Sequence, residues 1–559
     1  MFPPIVVAQP LAGSLGILGS QKTYMMSRIL VWTGAAAVVL AVAAAMIEPG
    51  FTPPKQKILF LAAQYGILLP ALVVAVLLGR RQTPEARKIA APRFWTIAVA
   101  YLLVLVPVAA FLHPGVIGAD ESVYLFEAKC LRSGSLYTQA PPVSEPEMHF
   151  THNLVVGHKW FGKYPFAWPA LLSLASVAGL QWLVNPLLGL LLLWLSYGIG
   201  EFLFLPGQAA WGVLLMAASP FFTLNCLGYM SHVACGVAVA GAAWCYLRSV
   251  KARTALSIAA AGGCVAAAML VRPFTGMCVG VALGAATLFE FRSNRRVLAV
   301  GAGAALVLMG ATVLIHGVVN QSLTGSFTRS PYAAYHHQAV IPTEVSLSPR
   351  VVAHTLAVFT PIRLSKTVSA AFPFVFLPAF FALWRWRRRR DVWVIALLFA
   401  VLVLGHVVQQ EDSGSWIGER YYFEGFFAVS LLAGAGWSEL AGGYSARLRR
   451  TVLASAAVAC AAVWFFFLHQ QFELCWPYRE IALAAQSPPV FSGVVFLITA
   501  PHFEAPLYNL NRPGGKLLFL PDRGDGRERQ IAAKLGQHRW ALLTYDAASR
   551  RARWRLEVE

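Results

Sequence analysis

The sequence predicts an α-helical membrane protein that crosses the bilayer many times and ends in a small α/β domain. Of its 559 residues, 58% are hydrophobic and only 13% are charged, whereas soluble domains carry about 25% charged residues. Long apolar runs recur from residue 29 to residue 469, and short strand-like segments follow after about residue 470. This composition excludes an ordinary soluble protein.

Apolar runs long enough to cross a hydrocarbon core of about 30 Å define the predicted spans. One further run, 166–182, contains Pro169 and several polar or small residues, and we interpret it as a helix that lies at or dips into the outer membrane surface. About thirteen runs remain as predicted spans. They lie near 29–47, 58–79, 94–112, 186–205, 209–227, 232–247, 255–271, 274–290, 297–317, 369–384, 391–408, 421–441 and 451–469.

Basic residues give these helices an orientation, because Lys and Arg concentrate in cytoplasmic loops. If 166–182 does not cross, all the basic clusters fall on one side of the membrane, and Asp120 falls on the outer side. The net charge of +20 then belongs to loop clusters, so nucleic acid is not expected as a partner. The clusters are Arg80/Arg81/Arg87/Lys88/Arg93, Arg248/Lys251/Arg253, Arg292/Arg295/Arg296, Arg385 with Arg387 to Arg390, and Arg447/Arg449/Arg450.

Three predicted parts follow from this topology. Residues 1–93 form an N-terminal helical hairpin and a cytoplasmic loop, and residues 94–469 form a transmembrane catalytic domain with outer loops 113–185 and 318–368. Residues 470–559 form an external α/β domain of ordinary domain size. Its predicted strands are Val494 to Thr499, Lys516 to Leu520 and Ala541 to Thr544, with a helix around Arg529 to Leu535 and a final Trp554/Leu556/Val558 alternation.

The first outer loop opens with two adjacent carboxylates, Asp120 and Glu121, just beyond a predicted membrane helix. An acidic side chain there suits the removal of a proton from a hydroxyl group. We therefore predict Asp120 as the general base, with Glu121 orienting it or helping to bind a divalent metal ion. The alternative is a solvated helix cap without a catalytic role.

The motifs of this loop resemble those of the GT-C class of membrane glycosyltransferases, and more narrowly the bacterial branch related to protein O-mannosyltransferases and to the aminoarabinose transferase of lipid A. In that branch an Asp-Glu pair followed three residues later by Tyr, here Tyr124, opens the first outer loop. A Lys-Tyr-Pro-Pro-Gly-like segment closes it, here Lys163-Tyr164-Pro165 followed by Phe166 and Ala167 where Pro and Gly are frequent. Short motifs at outer helix ends, Val271-Arg272-Pro273 and Arg420-Tyr421-Tyr422-Phe423-Glu424, also have counterparts there.

The resemblance implies a GT-C-like fold and a multi-pass enzyme of the cytoplasmic membrane whose active site faces outward. The implied donor is a sugar linked to polyprenyl phosphate, delivered from within the membrane lipid, and the acceptor is a glycan, lipid or protein. An anionic phosphate leaving group needs fixed cations near the outer surface, and Arg272 and Arg420 fit that need. The alternatives are an Arg272 that reaches toward lipid headgroups and an Arg420 that pairs with Glu419 or Glu424.

Other side chains are secondary candidates for substrate binding. Lys163 and Tyr164 are predicted to contact the donor, with an interfacial lysine and a membrane-belt tyrosine as the alternative. His232 lies where relatives often carry a residue facing the site, although a satisfied helix-end histidine is equally consistent with the pattern. The remaining candidates are Tyr124 and Tyr421 for the substrate, His149 and His152 as an i, i+3 pair, and Arg363 and Lys366 for the phosphate.

Two other classes of protein remain as alternatives. A flippase or transporter of lipid-linked sugars would carry ionisable groups at mid-membrane rather than at outer helix ends. An O-antigen ligase or polymerase type of enzyme would carry its main basic and histidine residues in a large late loop. Here the acidic pair comes early in the chain.

Overall fold

The computed structural model describes part of the N-terminal region and most of the chain from Phe94 onward. The predicted run 58–79 is described only in part, and His149 and four residues of the first basic cluster, Arg80, Arg81, Arg87 and Lys88, lie outside the described residues. The described residues are 25–26, 28–29, 31–43, 58–59, 62–70, 91–143, 150–338, 347–371, 375–409, 417–442, 446–489, 492–498, 509–522 and 526–558.

Helices dominate the described part of the chain. They are α1 (Val31–Ala43), α2 (Phe94–Leu112), α3 (Ala119–Arg132), α4 (Ala167–Ser176), α5 (Val184–Leu203), α6 (Pro206–Ala218), α7 (Pro220–Asn225), α8 (His232–Ala252), α9 (Ala255–Val271), α10 (Pro273–Phe291), α11 (Arg295–Thr324), α12 (Pro331–Gln338), α13 (Pro349–His354), α14 (Thr360–Ala370), α15 (Phe376–Arg385), α16 (Arg390–Gly405), α17 (Phe426–Gly442), α18 (Ala446–Ala484) and α19 (Glu528–Lys534). Short 3₁₀ turns cover Gln181–Leu183, His406–Val408 and Arg420–Gly425, and π-helical turns cover Ala62–Leu68 and Thr355–Phe359.

The fold is that of a multi-pass membrane protein. Among the described residues, seven helical stretches are long and apolar enough to cross a membrane, and four shorter apolar helices accompany them. The predicted number of about thirteen spans is not confirmed. The seven stretches contain α2, α5, α8, α10, α11, α16 and α18, and the shorter helices are α1, α4, α9 and α15.

The predicted span 209–227 differs from the structure, which divides it into two helices. Helix α6 ends at Ala218 and α7 begins at Pro220, with the extended residue Ser219 between them. Proline has no amide hydrogen and clashes with the preceding turn, so it begins a helix readily and interrupts one that would continue through it. The run is therefore apolar, as predicted, but it does not form one continuous helix.

The loop 113–185, predicted to lie outside, folds onto the ends of the membrane helices. Helix α3 begins after the extended Gly118 and carries acidic residues in its first turn and basic residues in its last, which matches the polarity of the helix dipole. Three short antiparallel strands follow, in the order β1 (Thr138–Gln139), β3 (Lys159–Gly162) and β2 (Asn153–Val156). Trp160 on β3 packs against Phe126 of α3, with ring centres 5.5 Å apart. This packing fixes α3 beside the hairpin that leads to Lys163.

The C-terminal region contains a four-stranded sheet, as predicted. The strands are β4 (Gly493–Ile498), β5 (Leu517–Pro521), β6 (Arg539–Asp546) and β7 (Arg551–Val558), in the order β5-β4-β6-β7. Strand β4 is parallel to β5 and β6, and β7 is antiparallel to β6. Its core is continuous with Phe126 and Cys130 of α3 and with Ile481 of α18. The predicted boundary at residue 470 falls inside α18, and the division of the chain into three domains stays a prediction.

Cysteine labelling tests the predicted orientation. Arg388 lies in the basic turn between α15 and α16, whereas Ala547 lies in the exposed turn between β6 and β7. In intact cells an impermeant thiol reagent is expected to label Ala547→Cys and to spare Arg388→Cys, because the basic clusters are predicted to be cytoplasmic. All eight native cysteines are buried or partly buried, which limits the background. Labelling of Arg388→Cys without permeabilisation contradicts the orientation.

Candidate active site

The acidic pair lies in the first turn of α3, where two successive residues point in directions about 100° apart. Asp120 therefore faces the hairpin and the 3₁₀ turn Arg420–Gly425, whereas Glu121 faces the loop before α8. The two carboxylates, although adjacent in sequence, have different partners. They are best treated as separate groups.

Asp120 is the centre of a polar cluster assembled from distant parts of the chain. One of its oxygens forms an ion pair with Arg420, and the other accepts a hydrogen bond from the Tyr164 hydroxyl. The Nε2 atom of His152 lies 3.3 Å from that second oxygen. Burial acts to raise the pKa of Asp120, but the positive charge of Arg420 outweighs it and holds this pKa well below its usual range. The carboxyl group is therefore ionised at neutral pH.

His152 contributes to this cluster as a neutral group. Burial lowers the pKa of its imidazole to about 4, although the charge of Asp120 acts in the opposite direction. A neutral imidazole protonated on Nε2 can donate to Asp120. Of the predicted pair His149 and His152, the structure describes only His152, and it places that residue on a carboxylate.

Glu121 is engaged by the backbone. Its Oε1 atom accepts a hydrogen bond of 2.8 Å from the Tyr229 amide, and its Oε2 atom accepts one of 2.8 Å from the Ile117 amide. Burial raises the pKa of this carboxyl to about 7, and the two amides partly offset the effect. The Oε1 atom thus fastens the start of α3 to the loop before α8, and the Oε2 atom holds the segment that precedes α3. This geometry favours a positioning role over metal binding.

Substitution of Glu121 tests that role. A glutamine keeps one carbonyl oxygen but turns an NH₂ group toward the second amide, which leaves a buried donor unsatisfied at a cost of about 1 to 3 kcal/mol. Glu121→Gln is therefore expected to lower the midpoint temperature of unfolding (Tm) of the detergent-purified protein. The half-exposed Glu473→Gln serves as the control. Equal midpoints for Glu121→Gln and the wild type would show that the two hydrogen bonds do not stabilise the fold.

Tyr124, Lys163 and Tyr164 lie together beside Asp120. The Tyr124 and Tyr164 rings are 4.6 Å apart, and the Tyr124 hydroxyl lies 3.1 Å from the Ser231 hydroxyl. The ammonium group of Lys163 is buried among aromatic rings and lies 4.6 and 4.7 Å from the ring centres of Tyr332 and Tyr335 on α12. The loop 318–368 therefore closes over the same site as the loop 113–185.

Arg272 and His232 share one buried acid, Glu424. The Nε atom of Arg272 lies 3.1 Å from the Glu424 Oε1 atom, and the Nδ1 atom of His232 lies 2.9 Å from the same oxygen. Arg272 also donates to the Ser231 hydroxyl over 3.1 Å. Ser231 thus connects Arg272 to Tyr124.

The Tyr421 ring lies close to Arg272 and to Arg420, the two side chains that are predicted to bind the donor phosphate. The guanidinium carbons of Arg272 and Arg420 lie 5.7 and 5.9 Å from its centre. Both arginines are mostly shielded, with 18% of each side chain exposed. Two partly exposed cations beside one aromatic ring form a suitable place for an anionic group.

These contacts bear on the pairing of Arg420 and on the role of Arg363. Arg420 forms its ion pair with Asp120, which is 300 positions away, whereas Glu424 engages Arg272 and His232. Arg363, a secondary phosphate candidate, is fully buried and donates to the carbonyl oxygens of His406 and Gln409 over 2.7 and 3.0 Å. It fastens the segment that follows α16, and its Nε atom lies 3.9 Å from the Glu419 Oε2 atom.

Sequence reasoning missed three contributors to the site. Ser231 and Glu424 flank Arg272, and Tyr332 covers Lys163. Ser231 and Glu424 lie within or beside motifs that the sequence singled out for His232 and Arg420. Their position next to these motif residues was the signal by which the sequence could have identified them. Tyr332 carried no such signal, because only tertiary packing brings α12 onto the hairpin.

A cavity of about 200 Å³ adjoins the ion pair. Asp120, Arg420 and Met230 line it, together with Asn225 and Gln471 from the helices behind. Among the described residues, no three His, Cys, Asp or Glu side chains are grouped to hold a metal ion. The Asp120 oxygens face Arg420 and Tyr164, and the Glu121 oxygens face amides, so these residues do not fit a divalent cation.

Comparison with known proteins gives the fold. No protein-family model and no curated protein matches the sequence. Two solved structures of ArnT from Cupriavidus metallidurans are similar to the chain: one bound to undecaprenyl phosphate (16% identity, TM-score 0.52) and one in the apo state (15% identity, TM-score 0.53). Each match covers 81% of this chain and 93% of ArnT. The protein therefore has the fold of the GT-C membrane glycosyltransferases, as the sequence motifs indicated.

Proposed function

We propose that the protein is a glycosyltransferase that moves a sugar from a polyprenyl-phosphate donor to the hydroxyl group of a lipid, glycan or protein at the outer face of the cytoplasmic membrane. The observation that carries the proposal is the contact between an ionised carboxylate, Asp120, and Arg420 in a cluster that also holds Arg272. A base and two phosphate-binding cations are what this transfer requires. The undecaprenyl phosphate bound to the similar ArnT structure supports a donor of this class.

The proposed reaction is a single displacement. Asp120 takes the proton from the acceptor hydroxyl, and the acceptor oxygen forms a bond to the anomeric carbon of the sugar. The bond between that carbon and the phosphate oxygen breaks, and its electron pair leaves with the polyprenyl phosphate. Attack opposite the leaving group inverts the anomeric centre. Arg272 and Arg420 stabilise the departing phosphate through charge-assisted hydrogen bonds.

Arg420 has a second effect in this scheme, since it pairs with the proposed base. A carboxylate held by a cation is a weak base, because its pKa is far below that of the group it must deprotonate. A donor phosphate competes with Asp120 for the Arg420 guanidinium. When Arg420 turns toward the phosphate, Asp120 loses its counter-charge and becomes more basic. Donor binding would thereby make Asp120 a stronger base.

The position of the ionisable groups favours an enzyme over a transporter. Asp120 begins α3, His232 begins α8, and Arg272 lies between α9 and α10. Groups that translocate a substrate are expected at mid-membrane, whereas these side chains cluster at helix ends. The transporter alternative is therefore the weaker interpretation.

The direct test of the proposed function uses purified protein and a panel of polyprenyl-phosphate sugars with candidate acceptors. We expect acceptor-dependent release of polyprenyl phosphate from at least one donor. The same donors are also tested in sealed vesicles for movement across the bilayer. Movement of intact donor with no release of polyprenyl phosphate would contradict the glycosyltransferase proposal and support the transporter.

A further inference from the structure

A second and larger cavity, of about 690 Å³, lies on a different side of α3 from Asp120. Asp120 and Tyr124 share one side of this helix, whereas Leu125, Lys129 and Arg132 share another, because residues three or four apart lie on the same side. The residues 509–513 before β5 form the opposite wall. We refer to this cavity as the lateral groove.

The lateral groove is separate from the candidate active site. Tyr229 lines the lateral groove, whereas Gly228 and Met230 line the smaller cavity beside Asp120. The hydrogen bond from the Tyr229 amide to Glu121 lies at this division. A ligand in the lateral groove is therefore distinct from the proposed donor at Arg420.

Among the described residues, its lining carries three cations and no carboxylate; the cations are Lys129, Arg132 and Arg512. Lys129 donates to the Leu510 carbonyl oxygen over 3.3 Å, and Arg132 donates to the Ser176 carbonyl oxygen over 3.0 Å. These bonds hold the side chains in place and leave further N–H donors on each. Within the described part of the chain, none of the three forms an ion pair with a carboxylate.

Two of the like charges in the lateral groove, those of Lys129 and Arg512, lie close enough to affect one another. Burial and, to a smaller extent, the neighbouring charge of Arg512 lower the pKa of Lys129 to about 8. An anion bound between them would relieve this repulsion. The electrostatic character of the groove is thus suited to a phosphate group.

Apolar side chains line the rest of the lateral groove, among them Leu172 of α4 and Phe519 of β5. The outer side of α4 exposes Leu171 and Leu174, at 38% and 72%, and the next turn exposes Val177 at 70%. Such a helix, apolar on its outer side and only 10 residues long, suits the surface layer of a bilayer rather than a span. The lateral groove accordingly adjoins the layer where lipid headgroups lie.

From this combination of charge, apolar walls and position, we infer that the lateral groove binds one phosphate-bearing anionic lipid. Its phosphate lies among Lys129, Arg132 and Arg512, and its glycerol and upper acyl region lie against the apolar wall. Because the cations come from both α3 and the segment before β5, the bound lipid connects the first outer loop to the C-terminal sheet. This site is independent of the proposed transfer reaction.

Native mass spectrometry of the full-length protein in detergent tests the inference with phosphatidylglycerol as the probe. We expect a one-to-one complex with phosphatidylglycerol and at least about tenfold weaker binding by the triple variant Lys129→Gln/Arg132→Gln/Arg512→Gln, because charge-assisted contacts are lost. The matched control Arg551→Gln/Arg553→Gln/Arg555→Gln removes three charges from the exposed β7 and is expected to bind as the wild type does.

A single-residue variant and a competition experiment with inorganic phosphate complete this test. If the triple variant is not recovered, Arg512→Gln alone changes an exposed residue and is expected to weaken binding several-fold. Equal binding by wild type and either groove variant would overturn the site. Inorganic phosphate that displaces the lipid at equal concentration would overturn the assignment to a lipid, since the apolar wall would then contribute nothing.

Discussion

Asp120→Asn is expected to reduce sugar transfer by about 100-fold to 10,000-fold, the range typical for loss of a general base. Asparagine keeps the size of the side chain and a carbonyl oxygen that can accept from Tyr164, so the fold should survive. It no longer competes as an anion for Arg420. Donor affinity is therefore expected to stay equal to that of the wild type or to increase.

A loss of turnover without a loss of affinity separates a base from a merely structural residue. Turnover is measured as release of polyprenyl phosphate, and affinity is measured by titrating purified protein with donor. Asp391→Asn, which removes a carboxylate paired with Arg389, serves as the control and should change neither quantity. Near wild-type turnover by Asp120→Asn would remove Asp120 from the mechanism and make Glu127, buried on the same side of α3, the next candidate.

Arg420→Ala is expected to impair transfer through donor binding. The phosphate loses a charge-assisted hydrogen bond, which contributes about 1.5 to 3 kcal/mol, so the apparent donor affinity should fall by about 10-fold to 150-fold. Arg272→Ala should act in the same direction. Arg420→Lys retains the charge without the planar fork and is expected to lie between wild type and alanine.

The control for these variants is Arg479→Ala, which removes a cation paired with Glu480 on α18, outside the candidate site. Its donor affinity should equal that of the wild type. Unchanged donor affinity and turnover in both Arg272→Ala and Arg420→Ala, at normal protein levels, would reduce these two arginines to structural or headgroup contacts.

Local sequence patterns predicted the elements but not their contacts. The apolar runs and the strand-like tail gave the membrane fold and the C-terminal sheet, because helix length and strand alternation are local properties. Pro220 was the local signal for the break in the run 209–227. The number of membrane crossings could not be settled in this way, since short buried helices and spanning helices share the same composition.

The site depends on pairings that no local pattern specifies. Arg420 has two acidic neighbours in sequence, Glu419 and Glu424, yet it pairs with Asp120 across 300 positions. Glu121 accepts hydrogen bonds from two backbone amides. Because every residue except proline carries such an amide, the sequence does not indicate which of them would be the partners. The motifs identified residues that assemble at helix ends around Asp120. Tertiary packing decided which charges meet.

The most direct test of the central proposal is a comparison of wild type and Asp120→Asn under conditions in which both are saturated with the same polyprenyl-phosphate sugar and acceptor. The proposal predicts that the wild type releases polyprenyl phosphate and forms one glycosylated acceptor for each molecule released. It predicts that Asp120→Asn binds the donor but releases polyprenyl phosphate at least about 100-fold more slowly. Equal release by both proteins would contradict the assignment of Asp120 as the base, and no release by the wild type with any donor of the panel would contradict the proposed transferase activity itself.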